Sequence, residues 1–457
     1  MIRRRTHLKG LGTIGLIISV IVVLATTAAS RELLPDTAEM VVPVGDTDVS
    51  RGEEAPASVE VRSIPLLPAV DAETYRAMKT QARQTPTAQQ RQVLEALAAP
   101  KPLASVATSF VGLDGPGAGI NGAAFFPPDT IVAKSSTRVL EGVNSALRLF
   151  TTTGGILATQ DLNSFFGAST AQGPLFDPKV YFDRNATNRR FYIVALQQTG
   201  TSDASGFSRI WLAVSRSSEP GDLTSSWCRY AIDGKRNAGT SLSSWADYPG
   251  LGVGADKLVI SANQLTFAPS GQESFTFAII RVLNKLTAAN NASGDCPTIP
   301  LFTFQPSNTS GDSGAFTLQP AQHCSGPSSF SGTSNPAYLV NTIYGSSASY
   351  RVWRVRNIDP PTLQGPTSVL GNFMYGFPPD ADQPDSSTLL DTGDVRVTQV
   401  AGLGNAISGV HGTVCNFTGS TPNEACVRPV GLHKLLVDWG AGYYDFRQLP
   451  MGDADAS

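Results

Sequence analysis

The chain contains no Cys-x-x-Cys pair and no cysteine and histidine spacing of the kind that holds zinc. Its five cysteines stand apart at 228, 296, 324, 415 and 426, and it has four histidines. A zinc-built domain is therefore excluded. Basic residues are also scarce, with 34 Lys and Arg against 37 Asp and Glu. Arg3, Arg4, Arg5 and Lys9 lie in the first thirty residues, which hold no acid, so the remainder carries 30 basic against 37 acidic groups. A surface of that sign repels phosphate backbones and anionic lipid, which argues against nucleic acid as a partner. Charge of either sign is thin, at 16% of residues, while 41% are hydrophobic. Such a chain can bury a large core. With Gly 43, Pro 31 and abundant Ser and Thr, it favours short strands joined by turns over long helices.

Residues 1–30 have a basic end, an uncharged apolar run from Leu11 to Ala29, and small residues at Thr27-Ala28-Ala29-Ser30. That is the layout of a signal peptide, or of a signal anchor if it is not cleaved. Arg4-Arg5-Thr6-His7-Leu8-Lys9 resembles the twin-arginine export pattern, with His7 where phenylalanine is usual. The expected location is secreted or periplasmic, with the membrane met only through residues 1–30. In an oxidising compartment the economical disulfides are Cys296 with Cys324 and Cys415 with Cys426, leaving Cys228 as a buried thiol.

Residues 31–103 read as a linker with two short helices over 71–98, divided by Pro86. From residue 104 to about 450 the chain turns to β, and 451–457 form a tail. Five modules repeat one order of parts, opening at Asp129, Asp177, Asp247, Gln319 and Asp394. Their strands are read at 129–133, 139–144 and 147–150; 177–183, 191–197, 210–214 and 227–232; 247–253, 258–263 and 277–282; 316–321, 338–341 and 350–355; and 394–400, 406–411 and 434–439. The openings are 48, 70, 72 and 75 residues apart, against roughly 40–50 for a compact propeller blade. The predicted fold is an all-β β-propeller of five blades, with six or seven open if a loop such as 362–390 hides another. Either 105–111 or 443–446 would close the ring.

In an antiparallel hairpin the end of the second strand lies beside the start of the first. The second strands end at Asn144, Gln197, Asn263, Asn341 and His411. Around one axis, both sets of residues form an acid-rich mouth, the default binding face. Asp129, Asp177 and Asp247 are the candidate catalytic residues. Asn144, Gln197, Asn263, Gln319, Asn341, Asp394 and His411 are the candidate ligand-binding set. The plainer role for these Asp and Asn side chains is to cap strand starts and hold turns. A glycan site and a calcium site are the other two readings, since carboxylates and amides around an axis suit a hard cation. No cofactor other than calcium is expected. The partner is an extracellular glycan or a surface protein.

Ser109-Phe110, Pro127-Pro128-Asp129-Thr130, Asp177-Pro178-Lys179-Val180-Tyr181-Phe182-Asp183 and Ala246-Asp247-Tyr248-Pro249-Gly250-Leu251-Gly252-Val253 resemble a group of uncharacterised secreted bacterial propeller proteins. More distantly, Asp129 and Asp177-Pro178 look like the first-strand acids of five-bladed glycoside hydrolases of the arabinanase and invertase type. That resemblance implies a glutamic general acid in a later blade. The third module offers only Glu273, in a loop. Other echoes lack their context. Gly311-Asp312-Ser313-Gly314 and Ala321-Gln322-His323-Cys324 follow the wrong order for a serine protease, and Gly117-x-Gly119-x-x-Gly122 runs into Pro127-Pro128 rather than a helix. Trp211, Trp245, Trp353 and Trp439, near one per module, read as core rather than as sugar platforms.

Overall fold

A computed structural model describes residues 32–44, 62–63, 69–84, 108–113, 125–184, 189–236, 243–291, 295–306, 315–323, 336–383, 386–403, 406–415 and 423–433. The export segment, Cys324, Trp439 and the strands expected at 434–439 and 443–446 lie outside these residues. Among them, no helix is long and apolar enough to cross a membrane.

The protein is a β-propeller of antiparallel units that follow one another along the chain. The first sheet is Ile131–Lys134, Arg138–Val143, Ala146–Thr151 and Ile156–Asp161, and the second is Leu175–Phe182, Phe191–Thr199, Phe207–Ser215 and Trp227–Asp233. The third is Ser244–Val253, Lys257–Thr266, Phe275–Asn284 and Ile299–Phe304. The fourth, Gln319–His323, Ala337–Thr342, Ser347–Arg356 and Thr362–Tyr375, is joined to Val397–Leu403, Ala406–Cys415 and Glu424–His433 by a parallel ladder of 321–323 on 400–402. The stretch 362–375 is thus the outer strand of the fourth sheet.

The middle strands have apolar side chains on both faces because each sheet is covered on both sides. Phe191 to Gln197 are all buried, as are Lys257 to Leu265. Four apolar clusters fill the successive gaps. Leu149, Phe165 and Ile193 pack between the first two sheets, and Leu212, Ile260 and Leu301 between the second and third. Val282, Leu339 and Trp353 fill the next gap, and Val352, Val397 and Leu432 the last. Inner strands approach closely where side chains are missing. A Cβ on Gly250 would stand 2.4 Å from Pro320 Cδ, and one on Gly252 2.6 Å from Pro320 Cβ.

Several expectations need correction. Residues 32–44 are not a linker: Glu32 and Leu33 pair with Gln364 and Leu363, Thr37 to Val41 pair with 299–303, and Val44 N donates to Arg229 O. This segment covers the outer edges of three sheets, a placement that rests on backbone groups common to every sequence. Of the two helices expected over 71–98, the first is Ala72–Gln84, started by Asp71, whose Oδ1 accepts from Thr74 N, and the second falls outside the described residues. Residues 108–111 form no strand, and the outer strand of the first sheet is 156–161 instead. Cys296 is bonded to Cys228 and not to Cys324, because Cys228 at the outer strand of the second sheet comes within 5.4 Å, Cα to Cα, of Cys296. Cys415 and Cys426 are bonded to each other across a hairpin.

Candidate functional site

At one end of the ring the inner strands start alike. Asp129, Asp177, Tyr248 and Thr317 have φ of 43°, 52°, 49° and 52°, a left-handed backbone that non-glycine residues seldom adopt. The cause is local in two of them. Pro178 and Pro249 have no N–H to give a ladder, so each strand bulges there, with Asp177-Pro178 set against Ala195 alone and Tyr248-Pro249 against Ala262 alone. Such bulges re-aim side chains, here towards the axis. The repeat also shifts the alignment read from sequence. Tyr248, not Asp247, occupies the seat of Asp177, and Thr317, not Gln319, occupies it in the fourth sheet.

Amide side chains lock these turns between neighbours. Asn144 Nδ2 donates to Pro127 O at 2.8 Å and Asp129 Oδ2 at 2.7 Å, and its Oδ1 accepts from Asp177 N at 2.6 Å. Asn263 repeats the device on the fourth sheet, accepting from Thr317 N at 2.7 Å and donating to Thr317 Oγ1 at 2.9 Å.

The turns bring three carboxyls together. Asp177 and Asp247 are 7% and 6% exposed, while Asp129 is half-buried. Burial, then the charges of Asp247 and Asp129, push the Asp177 carboxyl well above the usual range; Lys179 opposes this, and a hydrogen bond with Asp129 favours the protonated form. Asp247 is pushed up to about 6 by burial, against the pull of Arg396 and with added repulsion from Glu273 and Asp129. Glu273 is therefore close enough to act on the cluster from its loop. Asp394 is elsewhere committed, since Arg396 grips it through Nε at 2.8 Å and Nη2 at 2.6 Å. The same guanidinium lies 4.8 Å from the ring centroids of both Tyr248 and Phe316.

The other expected ligands are placed away from the cluster or turned inward. Gln197 donates to Ser169 O and Gly173 O and accepts from Trp211 Nε1, and Asn341 accepts from Trp353 Nε1. His411 sits between Tyr350 Oη, 3.0 Å from its Nε2, and Gly412 O, 2.7 Å from its Nδ1, and burial pushes it down to about 4. Gln319 lines the axis below Thr317. Trp211, Trp245 and Trp353 are buried. Among the described residues no group of three or more His, Cys, Asp or Glu side chains is arranged to hold a metal ion.

Sequence reasoning missed Tyr248, Lys179 and Arg396. The alternation Asp394-Val395-Arg396 was a usable signal, since residues two apart share a strand face. Helix 72–84 packs on the side of the mouth formed by the fourth and fifth units. Tyr75 stacks edge-on against Phe377 at 5.4 Å and donates to Asp391, and Lys79 is paired with Asp380 at 3.2 Å and Asp391 at 3.1 Å. The mouth is left accessible at Asp129, Lys179, Tyr248 and Glu273, all half-buried.

No protein-family profile matches the chain, and no curated protein matches it in sequence. Among solved structures it is similar to an α-L-arabinanase of Cellvibrio cellulosa complexed with arabinohexaose, at 13% identity and TM-score 0.31, covering 71% of this chain and 94% of that one. It is also similar to a xylan β-1,4-xylosidase of Bacillus halodurans C-125, at 11% and 0.28, covering 66% of this chain. There the match spans about half, 52%, of the xylosidase. An α-L-arabinofuranosidase of Lactobacillus brevis is similar at 11% and 0.27, covering 66% of this chain and 90% of that one. Likeness at this level carries no argument about activity.

Proposed function

We propose that this chain is an extracellular propeller that binds a polyhydroxylated ligand of the glycan class at the Asp129, Asp177 and Asp247 cluster, without cleaving it. The observation that carries this reading is the convergence of Asp129, Asp177 and Asp247 on one partly accessible mouth, where burial and the neighbouring charges favour the protonated form of Asp177. A protonated carboxyl donates and accepts while its neighbour accepts, a set suited to adjacent hydroxyls. Hydrolysis of a glycosidic bond needs two carboxyls roughly 5–9.5 Å apart around an open cleft, and here Asp177 and Asp247 are almost fully buried. Two disulfides fit an oxidising compartment.

A second reading, hydrolysis, is favoured by one observation: Asp247, pushed up to about 6, stands in the range of a general acid. One experiment tests both. A glycan array and a turnover panel are run on wild type and Asp129→Ala. The binding reading expects a retained glycan, a loss of about tenfold or more in the variant, and no released sugar. Product release by wild type that Asp247→Asn abolishes would replace it with hydrolysis, and an array with no retained glycan would reject the ligand class.

A further inference from the structure

The inner strands enclose a second polar space beside the acid cluster, and Lys179 borders both. It is a narrow cavity of about 40 Å³ on the axis, lined from every unit by residues that include Ile131, Lys179, Leu251, Gln319 and Gln399. Lys179 and Gln319 each stand two residues beyond a left-handed turn, at Asp177 and Thr317, so they occupy equivalent positions one step further along the axis. Two residues of strand are roughly 7 Å, one step along the axis from the turns.

One donor of the lining stands without an acceptor. Gln319 is 4% exposed, and its Nε2 has no hydrogen-bond partner. Lys179 Nζ lies 5.4 Å from the ring centroid of Tyr248 rather than in an ion pair among the described residues. Gln399 Nε2 is already turned to Gln322 Oε1 at 3.2 Å. A buried N–H left without an acceptor costs about 1–3 kcal/mol. A lysine and an idle amide donor lining one small space suit an acceptor carrying negative charge. The nearest carboxyl along the strand, Asp177, is held towards its protonated form and so adds little repulsion.

We propose that the axial cavity is a binding site for one small monovalent anion of the halide class, held by Gln319 Nε2–H and the Lys179 ammonium. The volume admits a single halide ion. The test needs no glycan, so its outcome is separate from that of the glycan reading.

The test uses the full-length protein as purified. Crystals grown in sodium bromide are measured at the bromine edge, and thermal unfolding is followed in sodium chloride against sodium isethionate at constant ionic strength. The site predicts an anomalous peak on the axis at hydrogen-bond distance from Gln319, and a saturable rise in Tm of about 2–4 °C with chloride. It also predicts that Gln319→Glu removes the rise. Water density without an anomalous peak, or equal Tm in the two salts, would overturn it. The wild-type bromide measurement decides the matter even where Gln319→Glu does not fold.

Discussion

At the scale of single residues, the acid cluster costs the fold stability, and the direction of that cost is testable. Asp247 has its carboxyl raised from 3.8 to about 6, so its contribution is full below pH 3.8 and is lost as pH rises through about 6. Asp247→Asn is expected to raise stability at pH 8 by about 2–3 kcal/mol and to change it little at pH 4, read from urea unfolding at both pH values. His411 has the opposite sign. Its imidazole is pushed from 6.5 to about 4, so stability is full above pH 6.5 and is lost as pH falls towards 4. A wild-type profile that falls on the acid side, and less so in His411→Gln, is the expected outcome. Asn144 bonds three partners across two sheets. Asn144→Ala is expected to destabilise by about 2–4 kcal/mol, since it strands Asp177 N and one Asp129 oxygen.

At the scale of elements, the modules were legible because several middle strands are largely apolar runs ending in an amide residue, as in Phe191 to Gln197 and Leu258 to Asn263. The seat of Asp247 was misread for a physical reason. A bulge adds one residue, and spacing along the chain does not reveal which residue it absorbs. The pairing of Cys228 with Cys296 was hidden likewise, since it depends on where an outer strand ends in space. That bond closes a separation of 68 residues and ties the second sheet to the third. In the chain-entropy account it contributes about 4 kcal/mol, so a Cys228→Ser, Cys296→Ser variant should unfold at correspondingly lower urea. Gly250 is a sharper test of close approach. Its added methyl would meet Pro320 and Ser261 Oγ at 2.4 and 2.5 Å, and Gly250→Ala should destabilise by about 1–3 kcal/mol.

At the scale of the whole molecule, the N-terminal segment covers the outer sheet edges while the helix beyond it covers part of the mouth. Glu39 on that segment faces Arg236 at 3.3 Å and Arg281 at 3.4 Å, offsetting two cations of which Arg281 is fully buried. A chain beginning at residue 45 would expose an edge at 299–303 and is expected to self-associate in light scattering, where the longer chain stays monodisperse.

The central claim is that turns far apart in sequence set the Asp129 and Asp177 carboxyls against each other. A double-mutant cycle of Asp129→Asn and Asp177→Asn, on unfolding free energy at pH 8, measures that contact most directly. The contact can be lost only once, so the summed effects of the two single variants should differ from the effect of the double variant by about 1 kcal/mol or more. Additivity within about 0.3 kcal/mol would contradict the shared site.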